Sequence, residues 1–294
     1  MQNIFIGVIN MKSLYVVLCL ILAFVACPGI RAQSKTSAEL PMKMRGLMPA
    51  VEVMVNGNGP FLFAIDTGGQ GQARLDVTLV EKLGLKASGE VRAGDGSGTN
   101  VRVFPTFDID SIDVGGIKFT KLNAMSRDYN PPNSPQKIDG ILGFGLFAEH
   151  LLTLDYPGRK VKIATGAIEK KAGLNIIPFD NSRGIVTVDL MLGGETVKAN
   201  LDSGNMTGGF MLPTALVERS PMLSEVTVVG RAKTISNEIE IKQVRLKDTI
   251  KLGSLEFKEP TVVFPSLGNA NIGGKILNDL VLTFDQKNKL IKLG

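Results

Sequence analysis

One stretch of this chain occurs twice. Phe61 to Gly69 reads FLFAIDTGG, and Val197 to Asn205 reads VKANLDSGN. In each, an apolar strand-like run ends in Asp, followed by a small hydroxyl residue and Gly. A single Asp-Thr-Gly carries little information, because all three residues are ordinary turn formers. The second copy, and the context that travels with it, is what constrains the fold. Arg45-Gly46 precedes the first copy and Arg183-Gly184 the second; Leu79-Val80-Glu81 follows the first and Leu216-Val217-Glu218 the second. Gly94 lies 28 residues beyond Asp66, and Gly230 lies 28 beyond Asp202. Val114 to Phe119 is then matched by Leu252 to Phe257. The closing blocks, Leu142-Gly143, Leu152 to Asp155 and Lys160 to Ile163, recur as Ile272-Gly273, Leu282 to Asp285 and Leu290 to Leu293 at a constant offset of 130. Similarity kept in order over roughly 120 residues marks a duplicated domain, not a chance turn.

Each copy reads as β-structure. Met48 to Val55 alternates and reads as a strand, Asn56-Gly57-Asn58-Gly59 is a hairpin signal, and Phe61 to Ile65 is the partner strand that delivers Asp66. Asp76 to Leu83 has helical spacing and stops at Gly84. Glu90 to Val103 reads as strand, a turn at Gly94-Asp95-Gly96-Ser97-Gly98, and strand. That glycine cluster lacks the Gly-Lys-Ser/Thr ending of a phosphate loop. Phe107 to Val114 alternates, and its Asp108, Asp110 and Asp113 miss the calcium-loop spacing, so they read as solvated strand faces. Lys121 to Lys137, polar and Pro-rich, reads as a loop, and residues 33–40 as a flexible polar leader. The second-copy hairpin, around Gly230-Arg231-Ala232-Lys233, is less glycine-rich. The Lys-rich stretch Ala164 to Gly173 holds the boundary, which predicts lobes at 33–168 and 169–294. Thirty-three Gly and 14 Pro scattered along the chain suit a turn-rich, all-β architecture with a few short helices.

Composition narrows the chemistry. There is a single histidine, His150, and no Gly-x-Ser-x-Gly elbow, so a Ser–His–Asp triad has little to build on. Both cysteines, Cys19 and Cys27, fall in residues 1–32, which read as an export signal: Lys12, the apolar run Ser13 to Cys27, then Pro28-Gly29 and a small-residue cleavage site at Ile30-Arg31-Ala32. The run is short for a spanning helix, which needs about 20 residues. A lipoprotein reading, with Phe24 to Cys27 as the lipobox and a lipid anchor on Cys27, is weakened by Phe24 where Leu is usual. A chain cut after Ala32 keeps neither thiol nor disulfide, and zinc finds no Cys and one His. The net charge of +5 is dispersed and argues against nucleic acid. What remains for acid–base work is carboxylate chemistry, at Asp66 and Asp202.

These residues resemble the pepsin/retropepsin superfamily of aspartic proteases. The resemblance rests on IDTGG (65–69), LDSG (201–204), IDGILG (138–143) and NIGGKILNDLVLTFDQKNKLIKL (271–293), and it spans nearly all of the chain after the leader. It is nearest to bacterial, exported retropepsin-like proteins, as two such subunits fused. It implies two homologous β-barrel lobes related by a pseudo-twofold axis, and a monomer, since both half-sites lie in one chain. It also implies an endopeptidase acting on peptide or protein substrate without cofactor or metal. Asp66 and Asp202 would be the catalytic dyad. Thr67 and Ser203 would lock it from the opposite loop, and Gly68 and Gly204 would let the loops approach. Gly94, Asp95, Gly96, Ser97 and Gly98 would form the flap. Three departures stand out: Gly69 and Asn205 follow the two triplets where pepsins often carry a hydroxyl, the flap has no tyrosine, and the triplets differ. The alternative is a catalytically silent relative that binds a peptide or surface partner.

Overall fold

In the computed structural model the repeated segments pair with each other. Leu151–Asp155 lies antiparallel to Val281–Asp285, with Thr153 opposite Thr283 and Leu152 opposite Phe284. The two threonine hydroxyls meet at 3.0 Å. The structure describes residues 35–94, 101–130, 132, 134, 136–206, 208–233, 238–265 and 269–294, and these form one compact unit. The expected leader, residues 1–32, lies outside them.

Three sheets and a few short helices make up the fold, which is all-β. An eight-stranded sheet carries Asp66 and a nine-stranded sheet leads to Asp202. The six-stranded third sheet joins Ser37–Pro41, Lys160–Ala164 and Leu151–Asp155 to Val281–Asp285, Leu290–Leu293 and Asn175–Pro178. Strands from both sides of the expected boundary at 168/169 therefore share one sheet. Its inner face is continuous with the apolar core: Leu152, Leu154, Val161, Ile163, Leu282, Phe284 and Ile291 are all fully buried. Phe144 packs edge-on against Phe284 and Phe179, at 5.5 and 5.8 Å between ring centroids. Aromatic pairs of this kind contribute about 0.5–1.5 kcal/mol beyond their buried area.

The sheets hold the candidate site through one repeated arrangement. Asn58–Asp66 runs parallel to Gly140–Gly143, with Asp66 opposite Gly143. Glu195–Leu201 runs parallel to Ala270–Ile272, with Leu201 opposite Ile272. Both pairings are interior to their sheets, which explains the apolar runs on these strands. The glycines of IDGILG and NIGG are set by close backbone approach. A Cβ on Gly143 would meet the Gly71 carbonyl oxygen at 2.4 Å, and one on Gly273 the Gly208 carbonyl oxygen at 2.6 Å.

The helix Val77–Leu83 starts where its capping signal stands. The Asp76 carboxylate accepts from the Thr78 amide, and Gly84 closes the helix in the left-handed region. Two sequence expectations need correction. Ser37–Pro41 is an edge strand, not a flexible leader: Ala38 is buried and Ser37 pairs with Ala164. The stretch expected as a loop from Lys121 is strand as far as Arg127, because Leu122, Ala124 and Ser126 are buried and alternate with Lys121, Asn123, the half-buried Met125 and Arg127. The expected second-copy hairpin is present: Thr227–Lys233 pairs antiparallel with Glu238–Arg245, with a register shift at Gly230. The C-terminal strand Leu290–Leu293 is tied into the third sheet between two partners.

Candidate active site

Each Asp stands at the end of a buried strand, and the loop after it turns back on its own carboxylate. The Gly68 amide donates to Asp66 Oδ1 at 3.0 Å, and the Gly204 amide to Asp202 Oδ1 at 2.9 Å. The two loops are then bolted to each other. The Thr67 hydroxyl donates to the Leu201 carbonyl at 2.7 Å, and the Ser203 hydroxyl donates to the Ile65 carbonyl at 2.7 Å. Each hydroxyl also accepts from the other residue's amide: Thr67 N from 2.9 Å, and Ser203 N from 3.0 Å. Thr67 and Ser203 have no exposed surface. All four polar groups are therefore satisfied inside the protein, where an unmet one would cost about 1–3 kcal/mol.

The glycines let this happen. A Cβ on Gly68 would lie 2.4 Å from the Asp202 carboxyl carbon, and one on Gly204 would lie 2.5 Å from Asp66 Oδ1. Each carboxyl thus sits directly over the opposite loop, a space only glycine leaves open. The loops are braced from outside as well. Gly184, in the left-handed region, lies against Gln70, whose side-chain amide donates to the Arg183 carbonyl at 2.8 Å. Gly46, also left-handed, faces the Met206 sulfur. The Arg-Gly pairs that precede both triplets are therefore contacts onto the loop that follows the other triplet.

The structure thus brings together Asp66, Thr67, Gly68, Asp202, Ser203 and Gly204. Burial and the adjacent Asp202 carboxyl push the Asp66 carboxyl up to about 7, against the pull of Arg74 and the Gly68 amide. Two like charges so close in a poorly solvated site cannot both form readily, so the pair retains a proton.

The outer oxygens of the pair are treated differently. Asp66 Oδ2 faces the Arg74 guanidinium at 3.8 Å, beyond hydrogen-bond reach. Asp202 Oδ2 accepts from the Asn271 side-chain amide at 2.9 Å. Asn271 is itself held by Asn205, whose amide donates to Asn271 Oδ1 at 2.8 Å and whose oxygen accepts from the Gly208 amide. Asn205, a departure in the sequence, is thus a support for the second carboxylate. In the pairing of Ala73–Asp76 with Gly140–Gly143, Arg74 stands opposite Ile141; in the pairing of Phe210–Met211 with Ala270–Ile272, Met211 stands opposite Asn271. The two halves have exchanged which strand carries the polar residue. Sequence reasoning missed Arg74 and Asn271; aligning the repeats position by position would have flagged both, since each faces an apolar residue in the other copy.

Residues 51–146 match the aspartyl protease family. The match covers the strand that ends at Asp66, the Thr67 and Gly68 loop, and the crossing strand Gly140–Gly143. Asp202 and its loop lie beyond it. The first half of the chain therefore carries a region similar to that family, and the Asp66 loop falls within it. No curated protein matches the chain.

Gly94 is the last residue of the strand Ala87–Gly94, paired with Val101 at the start of Val101–Val114. Asp95, Gly96, Ser97 and Gly98, expected at the tip of that hairpin, lie outside the described residues. Val91, Val101 and Val103 on its arms are exposed. His150 lies against Phe119 at 5.3 Å between ring centroids, with its Nδ1 buried and without a hydrogen-bond partner.

Proposed function

We propose that the chain is an exported aspartic endopeptidase that hydrolyses peptide bonds with water activated by Asp66 and Asp202. The observation that carries this reading is the crossed hydroxyl lock of Thr67 and Ser203, which fixes two carboxyls over one another in a buried site. A structural turn has no use for two acidic groups held in mutual repulsion, and such pairs of shifted carboxylates belong to acid–base sites.

The roles follow from the surroundings. Both Asp202 oxygens accept from N–H donors, Gly204 and Asn271. Asp66 is buried, has one N–H donor and keeps the shared proton. Asp202 then takes a proton from water as it attacks the scissile carbonyl, and Asp66 hydrogen-bonds the carbonyl oxygen as charge develops there. The proton taken from water passes to the leaving amine. The two half-sites act as approximate twofold mates within one chain, so a monomer suffices. The hairpin that ends at Gly94 and resumes at Val101 serves as the flap, and its exposed valines close over the peptide and exclude water. Export rests on residues 1–32, whose removal leaves a chain without cysteine.

The test is digestion of a diverse peptide pool by the protein, beside Asp66→Asn and Asp202→Asn, with fragments read by mass spectrometry. New termini with the wild type alone support the proposal. A folded wild type that leaves the pool intact from acid to neutral pH contradicts it and favours a module that binds peptide without cutting.

A further inference from the structure

Beside Asp66 a cavity of about 510 Å³ opens, and its wall is cationic. Arg45, Arg74 and Arg127 line it, against the carboxylates of Asp66 and Asp128. A substrate pocket next to a scissile bond is more usually lined by apolar side chains with few polar groups. Three guanidiniums at one subsite therefore call for a partner.

Among the described residues the protein supplies it only in part. Arg45 donates only to neutral oxygens, of Gln136, Tyr129 and Ser134, which fix its position and leave its charge unmatched. Arg74 donates to the Gln70 carbonyl and stands 3.8 Å from Asp66 Oδ2. Asp66 belongs to a pair that holds one proton, so the pair offers this wall a single negative charge. Arg127 is exposed and lies over the Tyr129 ring, 4.7 Å from its centroid. Asp128 turns one carboxylate oxygen to the Asn130 amide at 2.8 Å.

A second observation points to a ligand. Tyr129 lines the same cavity and is 8% exposed, and its buried hydroxyl has the Arg127 guanidinium beside it but no well-formed hydrogen bond among the described residues. Its backbone is pinned from behind: the Tyr129 amide donates to Asp76 Oδ2 at 2.9 Å, and its carbonyl accepts from Arg45. A phenol held rigidly, unsatisfied and flanked by guanidiniums is a poor arrangement for an empty wall. It suits a carboxylate, which accepts from a phenol and from the fork of an arginine at once.

We propose that this cavity is a subsite for a substrate carboxylate close to the scissile bond, with Arg74, Arg127 and the Tyr129 hydroxyl as its donors. The inference rests on the peptidase reading for the word substrate, but not for the binding. The carboxylate has two sources, an Asp or Glu side chain or the C-terminus of the peptide. A side chain makes the protein an endopeptidase selective for acidic residues; a C-terminus makes it one that trims peptide ends.

The test separates binding from cutting. Octapeptides that differ only in carrying Glu or Gln at one position, each made with a free and an amidated C-terminus, are titrated onto the Asp202→Asn protein. Cleavage of the same peptides by wild type is followed in parallel. We expect one charged twin to bind at least about tenfold more tightly than its neutral partner, the scale of a charge-assisted hydrogen bond. The Glu/Gln pair identifies a side-chain carboxylate, and the free/amidated pair a C-terminal one. Arg127→Gln and Tyr129→Phe should each collapse that ratio toward one. Tyr129→Phe removes an unsatisfied group, so a purely structural role predicts unchanged or higher thermal stability and no change in the ratio. Equal binding of all twins, or a preference that survives both substitutions, overturns the subsite. Selective binding without cleavage leaves the subsite standing and sinks the peptidase reading instead.

Discussion

Thr67 and Ser203, 136 residues apart, each donate a hydroxyl hydrogen to the other strand's carbonyl and each accept the other's amide hydrogen. This four-bond figure satisfies those groups inside the protein, where both residues are wholly buried. Thr67→Ala or Ser203→Ala leaves a buried carbonyl and a buried amide unmet, at about 2–4 kcal/mol for the two groups. The double variant strands all four backbone groups, the Leu201 and Ile65 carbonyls and the Ser203 and Thr67 amides, yet it should cost less than the sum, because loops already loosened by the first substitution lose less with the second. Urea unfolding of the four proteins measures this; additive costs would show that the two hydroxyls do not act as one lock.

The glycine positions give a sharper contrast. Gly204→Ala puts a Cβ 2.5 Å from Asp66 Oδ1, and Gly68→Ala puts one 2.4 Å from the Asp202 carboxyl carbon. Either must spread the carboxyl pair, and peptide cleavage should fall by more than about a hundredfold, as misplacement of reacting groups by an ångström does. Gly230→Ala, where nothing lies within 4 Å, should leave cleavage unchanged. Equal activity in all three would mean the close packing at the pair has no part in the chemistry.

The buried pair makes stability depend on pH in a sense opposite to the usual carboxylate. Asp66 is raised to about 7 in the folded protein, mainly by burial, against about 3.9 in an unfolded chain. The folded state therefore holds a proton that the unfolded state has released between those values. Stability from this group is fullest below pH about 4 and declines as pH rises to about 7, by on the order of 4 kcal/mol. Asp66→Asn cannot ionise, so the variant should gain stability over wild type as pH rises through this window. Melting temperatures of both proteins at intervals from pH 4 to 8 check it; parallel curves would contradict it.

Asp76 works the other way. Burial opposes its charge, but bonds from the Thr78 hydroxyl and amide, the Tyr129 amide and the Asn130 side chain hold it below the usual carboxylate value. Its contribution is present above the unfolded carboxylate value and is lost as pH falls through the lower folded one. Asp76→Ala removes a helix cap and strands the Tyr129 amide, so we expect a loss of about 2–4 kcal/mol at pH 7 that shrinks in strong acid. A loss that is the same at pH 7 and pH 2 would show that the charge contributes nothing.

Much of the framework could be read from the chain, because a repeat constrains many positions at once. The strand ends at Asp66 and Asp202, the glycines that pack under them, and the capped helix after Asp76 all have short-range signals. What escaped had none. Ser37–Pro41 shows only Ala38 and Leu40 as inward residues, too few to mark a strand without its partner. Lys121, at the end of one apparent motif, masked the alternation of Leu122, Ala124 and Ser126. Arg74, Asn271 and Tyr129 reach the site through sheet pairing and a loop crossing, contacts set by tertiary packing that no local pattern encodes. Asn205 looked like a defect of the motif, and only its bond to Asn271 gives it a role.

The central claim is that Asp66 and Asp202 share one proton and together activate water. Its most direct test is the pH dependence of peptide cleavage by wild type, Asp66→Asn and Asp202→Asn, each confirmed as folded. The account predicts cleavage by wild type in the acid range, lost as pH rises through about 7 where the pair gives up its proton, and none by either variant at any pH. Cleavage that persists at a comparable rate in one of the variants, or that grows above pH 7, would contradict it.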